Sequence, residues 1–239
     1  MPRFFVDTVA QDTAVIVGDD AAHIAKSLRM RVGEALTVCD GAGFDYACEI
    51  AAIMPGEVTL RVVEKMPSGS EPSVRVTLYQ GLPKSDKMEW IIQKAVETGV
   101  TEIVPVEMAR SIAKIDKNND RKQQRWQRIA AEAAGQSGRG ILPTVSSPLT
   151  FAEAAKRMAN ERTLVFYEGG GKPVSALVGA ADEAVSIVIG PEGGFAPEEV
   201  ALLCQNGAET ATLGPRILRC ETAPIAALTL IMGFTGNMD

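Results

Sequence analysis

Short apolar runs with strand-like alternation fill the first 70 residues: Ala14–Val17, Ala35–Val38, Phe44–Ile50 and Val58–Val63. Asp40-Gly-Ala-Gly43 joins two of them as a hairpin turn. Asp19–Met30 is expected to be a short helix, capped by Asp19 or Asp20, with Ile24 and Leu28 four apart. This pattern suits a small barrel with one helix. Met66-Pro-Ser-Gly-Ser-Glu-Pro72 then reads as a linker, since its prolines, glycine and serines continue neither period.

Beyond the linker, strands alternate with helices. Val74–Gln80, Glu102–Val106, Leu164–Tyr167, Ser186–Ile189 and Ala211–Leu213 are the expected strands. Asp86–Thr98 is an expected helix, with Trp90, Ile91, Lys94 and Ala95 on one face and Gly99 as its stop signal. Arg121–Ala134, ending at or near Gly135, and Thr150–Ala159 follow. Pro197–Asn206 has proline in its first turn and Glu198 and Glu199 at its positive end. Five strands separated by helices imply a mainly parallel α/β sheet covered on both sides. The final helix, Thr222–Gly233, is apolar on nearly every side. Such a helix is buried all round, within its own domain or against a second subunit, so a homodimer is expected.

Composition narrows the chemistry. At 239 residues, 46% hydrophobic and 23% charged, the chain has the profile of an ordinary soluble protein. Its start lacks an apolar run long enough for a signal peptide, and no later run approaches a membrane span. Cysteines 39, 48, 204 and 220 form neither a CxxC pair nor a dense framework, so reduced thiols and a cytoplasmic location are expected. A single histidine, His23, excludes histidine-rich metal sites, and no nucleophile elbow accompanies it. We expect no metal and a structural His23.

The net charge of −6 is unevenly spread. Residues 1–72 carry 6 basic and 11 acidic side chains. Residues 110–128 carry 7 basic (Arg110, Lys114, Lys117, Arg121, Lys122, Arg125, Arg128) and 2 acidic (Asp116, Asp120). That stretch is either a solvated helix face or a stripe suited to docking on a phosphate backbone.

Two glycine turns carry the strongest signal. Ser186-Ile-Val-Ile-Gly190 runs into Pro191-Glu-Gly-Gly-Phe195, and Ala211-Thr-Leu-Gly214 into Pro215-Arg-Ile-Leu-Arg-Cys-Glu-Thr222. Turns of this kind present backbone groups at the carboxyl edge of a sheet, where open α/β folds bind ligands. No G-x-G-x-x-G or G-x-x-x-x-G-K-[ST] motif is present, and Gly169-Gly-Gly-Lys172 reads as loop. A neutral or cationic ligand held by backbone groups fits better than a phosphate.

With these turns, further segments resemble one bacterial family. They are Arg3-Phe-Phe-Val6, His23–Arg31, Gln80-Gly-Leu-Pro-Lys-Ser-Asp-Lys-Met88, Ile92–Ile103, Arg110-Ser111, Trp126–Arg139, Ile189–Phe195 and Leu213–Ala223. The chain resembles the RsmE family, 16S ribosomal RNA uridine-N(3) methyltransferases of the SPOUT class. The resemblance implies a PUA-like RNA-binding β-barrel over residues 1–70. It implies an S-adenosylmethionine-dependent methyltransferase domain over 73–239, with a parallel sheet and a C-terminal trefoil knot. It also implies a dimer acting on 16S rRNA or the assembled small subunit. The methyl-donor site carries over onto Tyr167 and Glu168 (in a loop of divergent length and sequence), Gly190, Glu192, Gly193, Gly194, Leu213, Gly214, Ile217 and Leu218.

The residue types suit that chemistry. Leu213, Ile217 and Leu218 would sandwich adenine while turn amides read its edges, and the glycines allow close backbone approach. Methyl transfer needs no metal, but a uridine imide must lose its proton. Glu221 or Glu192 would accept it if burial raised its pKa, with Arg219 or Arg216 stabilising charge on the ring carbonyls. Glu221 could equally cap the last helix, and Arg219 could simply pair with Glu221. RNA contacts are expected from Arg3, Arg29 and Arg31, and from Lys84, Lys87, Arg110, Arg125 and Arg139. Two other readings stay open: methylation of a ribose 2′-hydroxyl or a tRNA by a related enzyme, and a non-catalytic RNA-binding assembly factor.

Overall fold

The computed structural model describes residues 2–6, 8–10, 12–115 and 119–238, so Asp116 and Lys117 of the basic stretch lie outside the described residues. The chain forms two compact units. The first is Met1–Glu71 with Ala134–Leu142, and the second is Pro72–Ala133 with Pro143–Asp239.

In the first unit, strands β1 (Arg3–Phe5), β2 (Val9–Ala10), β3 (Thr13–Val17), β4 (Ala35–Cys39), β5 (Phe44–Met54) and β6 (Glu57–Pro67) form one sheet in the order β1-β4-β5-β6-β3-β2. All pairs are antiparallel except β1 with β4. The expected barrel is thus a curled, open sheet, with no ladder joining β1 to β2 among the described residues. Alternation decides the inner face: Ala14 and Ile16 of β3, Leu36 and Val38 of β4, and Val58 and Leu60 of β6 share one core. At the hairpin, Asp40 Oδ1 accepts from the Ala42 and Phe44 amides at 2.8 and 3.1 Å.

The single helix expected over 19–30 is shorter and broken. It is α1 (Gly18–Ala22) continuing into a wide turn over His23–Ser27, and Arg29 adopts a φ of +53°. His23 is exposed and meets the Phe4 ring edge-on at 6.3 Å. The linker also starts later than its composition implies, because β6 carries pairing through Pro67.

The second unit contains β7 (Arg75–Gly81), α2 (Lys87–Glu97), β8 (Glu102–Glu107) and α3 (Asn119–Ser137), which runs past Gly135. Next come β9 (Thr144–Val145), β10 (Leu149–Thr150), α4 (Phe151–Met158), β11 (Thr163–Phe166) and β12 (Lys172–Pro173). The last elements are β13 (Ala184–Ile189), α5 (Pro197–Gln205), β14 (Glu209–Thr212) and α6 (Thr222–Phe234). The sheet runs β10-β8-β7-β13-β11-β14-β12, with β9 also on β8, and every pair is parallel. The five expected strands form its middle. The added pieces β9, β10 and β12 have two residues each, too short for any periodicity to mark.

Helix starts follow local chemistry. Thr150 caps α4 in a reciprocal box with Glu153, and Pro197 opens α5. Helix α2 buries Met88, Ile91, Ile92, Ala95 and Val96, so its inner face is rotated from the expected one. Trp90 is 45% exposed, and Lys94 pairs with Glu97 at 2.8 Å. The α2 terminus matches its signal, with Gly99 at φ +102° and its amide bonded to the Val96 carbonyl.

Strand β14 lies two places beyond β13, yet α6 packs on α2, β7 and β13. Residues 213–221 therefore travel back across the carboxyl ends of β11 and β13. That return builds the site. Helix α6 buries Pro224, Ala227, Leu228, Ile231 and Met232 but leaves Leu230 and Phe234 exposed, so this chain does not cover it on every side. Among the described residues, no helix is long and apolar enough to cross a membrane.

Candidate active site

A cavity of about 890 Å³ opens at the carboxyl ends of β11, β13 and β14, within the second unit. Its size suits a cofactor-sized molecule. The glycine turn after β13 forms one wall, from Gly190 to Phe195, and the returning chain forms another, from Leu213 to Cys220. Tyr167, Glu168, Gly169 and Gly170 after β11 complete it, while Lys172 of the same glycine stretch opens β12.

All ten residues named for the donor site line this cavity: Tyr167, Glu168, Gly190, Glu192, Gly193, Gly194, Leu213, Gly214, Ile217 and Leu218. Arg216 and Arg219 line it too. Backbone geometry explains two of the glycines. Gly194 holds φ +67°, and a Cβ there would run into the Glu168 carboxylate. A Cβ on Gly193 would come within 2.9 Å of the Arg110 Cβ. Ile217 is 87% exposed, an unusual position for a large aliphatic side chain at a cavity mouth.

The charged groups meet beside this cavity. Lys87, in the first turn of α2, places its ammonium 3.1 Å from Glu192 Oε1 and 3.0 Å from Glu221 Oε2. Glu192 Oε1 also accepts from the Lys84 amide at 3.1 Å. Cys220 donates its thiol to Glu221 Oε2 at 3.2 Å and lies 3.9 Å from the lysine nitrogen. Burial, then the neighbouring Glu221 carboxylate, pushes the Cys220 thiol up to about 12, so it stays protonated.

Burial alone would raise both carboxyls, but the surrounding donors outweigh it. Glu221 is held below its ordinary value by the Cys220 thiol and Lys87. Glu192 is held down by its own amide, the Lys84 amide and Lys87. Lys87 is raised in turn, first by Glu221 and then by Glu192. The condition set for a carboxylate base, a pKa raised by burial, is therefore not met; both groups are ionised near neutral pH.

The remaining expectations divide. Glu221 stands at the start of α6 without a side-chain capping bond, and its ion-pair partner is Lys87 rather than Arg219. Lys87, expected to contact RNA, instead pairs with two carboxylates at the cavity edge. The sequence held a signal for this, because a lysine in a helix's first turn opposes the dipole and calls for carboxylate partners. Cys220 carried no such signal.

Lys84 and Arg110 are exposed beside the cavity, and Arg110 Nη1 donates to the Gly193 carbonyl at 3.1 Å. Arg125 is exposed and pairs with Glu89 at 2.7 Å. In the first unit Arg29 and Arg31 are exposed. Arg3 bonds Asp45 at 2.6 Å and the Gly138 carbonyl, and Arg139 is 3% exposed against Glu71. Those two guanidiniums hold the first unit together and are not free for RNA. Among the described residues no cluster of metal-ligating side chains occurs.

Comparison with known proteins agrees with this geometry. Residues 70–232 match the model of an RNA methyltransferase domain, and residues 16–63 match an RNA methyltransferase PUA domain. The chain is 38% identical to ribosomal RNA small subunit methyltransferase E of Bacillus subtilis, over 97% of this chain and 96% of that protein. The chain belongs to the ribosomal RNA small subunit methyltransferase E family. A member from Mycobacterium tuberculosis is 34% identical over 99% of this chain and 93% of its own. Among solved structures, the family's Neisseria gonorrhoeae enzyme bound to S-adenosyl methionine superposes with a TM-score of 0.87 at 29% identity. That match covers 98% of this chain and 97% of the other. A Legionella pneumophila methyltransferase in complex with SAM gives 0.87 at 30% identity, covering 97% of this chain and 96% of the other.

Proposed function

We propose that this protein transfers a methyl group from S-adenosylmethionine to N3 of a uridine in 16S rRNA of the small ribosomal subunit. The observation that carries the reading is the cavity walled by both glycine turns, with two ionised carboxylates at its edge. Its surfaces fit the donor: aliphatic sides at Leu213, Ile217 and Leu218 for adenine, backbone at Gly190, Gly193 and Gly214, and negative charge for a cationic sulfonium. When bound, the donor supplies an activated methyl that moves by in-line displacement, the bonding pair staying with sulfur. The protein's share is orientation and electrostatics.

Arg219 and Arg216, at the cavity mouth, face charge growing on the uracil carbonyl oxygens. A carboxylate held below its ordinary range cannot strip the imide proton beforehand. It takes the proton in step with methyl transfer, when the ring nitrogen becomes strongly acidic. Glu221 and Glu192 are the candidates for that role. We read the return of residues 213–221 as the trefoil threading that the resemblance implies. We also read the exposed apolar residues Ile217, Leu230 and Phe234 as the face of a homodimer working in the cytoplasm.

The deciding experiment is transfer of labelled methyl to small subunits from cells lacking this protein, followed by nucleoside mass spectrometry. 3-Methyluridine is the expected product. A 2′-O-methyl nucleoside, or no transfer, overturns the reading.

A further inference from the structure

We propose that Lys87 is a positioning residue that straps Glu192 and Glu221 into one singly negative unit at the cavity edge, keeping both carboxylates ionised and fixed for the proton that leaves the substrate. This deepens the reading above and rests on it for the identity of the substrate, but not for the state of the carboxylates.

A single ammonium sits 3.1 Å from one carboxylate and 3.0 Å from the other, so the two acids are close enough to repel each other in its absence. The groups facing the cluster come from three elements. The turn after β13 brings Glu192, the segment entering α6 brings Cys220 and Glu221, and the segment entering α2 brings the Lys84 amide and Lys87. Arg216 and Arg219 line the same cavity but make no ion pair with either acid among the described residues. Lys87 is thus the cation that offsets one of their two charges.

The strap also balances the reaction. Two carboxylates and one ammonium carry a net charge of −1, matched to a donor that arrives positively charged. As the ring N–H bond breaks and the nitrogen's electron pair forms the new bond to the methyl carbon, the proton passes to one carboxylate. The ammonium stays with the other, and the cluster becomes neutral as the donor loses its positive charge. No further acid, base or metal is needed.

The test uses full-length protein labelled with 13C at glutamate carboxyls, titrated by NMR without donor or RNA, the two signals assigned by Glu192→Gln and Glu221→Gln. In the wild type both acids should titrate below 4.5, the ordinary value for the pair. In Lys87→Met one should move above that value by about 1 unit or more, as for carboxylates sharing a site. Lys87→Arg should keep both low, and adding Glu192→Gln to Lys87→Met should return Glu221 toward its ordinary value. The acid limb of the kcat profile should move up with the titration in Lys87→Met. Lys87→Gln, read identically, replaces Lys87→Met if that variant does not fold. Unchanged titrations in the folded variants overturn the proposal, as does a uniform loss of kcat with no shift in its pH profile. Wild-type protein that methylates no rRNA overturns the proposed function but leaves the carboxylate result to stand or fall alone.

Discussion

Arg139 and Glu71 form a bidentate pair at 2.7 to 3.3 Å, with side chains only 4% and 16% exposed. Glu71 Oε1 also accepts from the Gly140 and Ile141 amides at 2.7 and 3.0 Å, so one carboxylate fastens a segment distant in sequence to the first unit. Removing one member of such a pair strands the other in a poorly solvated place. Arg139→Ala should lower unfolding free energy by about 3–5 kcal/mol, the range for breaking a buried pair. Urea denaturation checks this. If instead stability is unchanged while RNA affinity falls, Arg139 is an RNA-binding residue after all.

The same pair sets an acid limit. Burial would raise Glu71, but the Arg139 guanidinium and the two amides hold it below its ordinary 4.5. Its contribution is therefore complete above that pH and is lost as pH falls through the lower folded value. Glu71→Gln should be less stable than wild type at neutral pH and converge with it in acid. Thermal melts across pH 2–7 (a range of about 5 units spanning the carboxylate pKa) would show parallel curves if the pair contributed nothing.

Gly194 should not tolerate a side chain. Its φ of +67° costs an L-residue about 1–2 kcal/mol, and a Cβ would press on Glu168. Gly194→Ala should weaken S-adenosylmethionine binding by about tenfold, equivalent to ~1.4 kcal/mol. Isothermal titration measures it, and unaltered affinity would place the donor elsewhere.

Arg110 and Arg125 should report RNA docking. Each is exposed beside partners that leave much of the guanidinium in solvent. Replacing either with alanine should weaken RNA binding and reduce the salt slope by about 1 for every phosphate no longer neutralised, with donor affinity kept. An equal fall in donor affinity would point to damage at the Gly193 turn instead.

The exposed side of α6 bears on oligomeric state. Leu230 and Phe234 are 38% and 41% exposed. Phe234→Glu should convert a dimer to monomer in sedimentation velocity, whereas a wild type that sediments as a monomer removes the dimer from the proposal.

Much of this was legible in the sequence because the signals are local. Alternation marked β3 to β6, β-branched runs marked the five central parallel strands, and Thr150, Pro197 and Gly99 marked helix ends through chemistry within one turn of the chain. The glycine turns likewise announced a cavity, since positive φ and close approach demand glycine wherever they occur. Trp90 shows the limit: its spacing allowed an inward face, but burial depends on what α2 packs against, and the helix turned Met88 and Ile92 inward instead.

The charged side chains were the least legible, because a guanidinium or ammonium reads the same whether it faces RNA, a buried carboxylate or solvent. The expected RNA contacts put Arg3, Lys87 and Arg139 beside Arg110 and Arg125. Folding separated them by partly or fully burying the first three against Asp45, Glu71, Glu192 and Glu221, while Arg110 stays exposed and Arg125 stays exposed even in its pair with Glu89. Backbone preferences and apolar period act over a few residues, so the chain by itself determined its strands, helices and glycine turns. Pairing between charges depends on distances through space between residues 42 to 134 positions apart, and only the tertiary structure decided those.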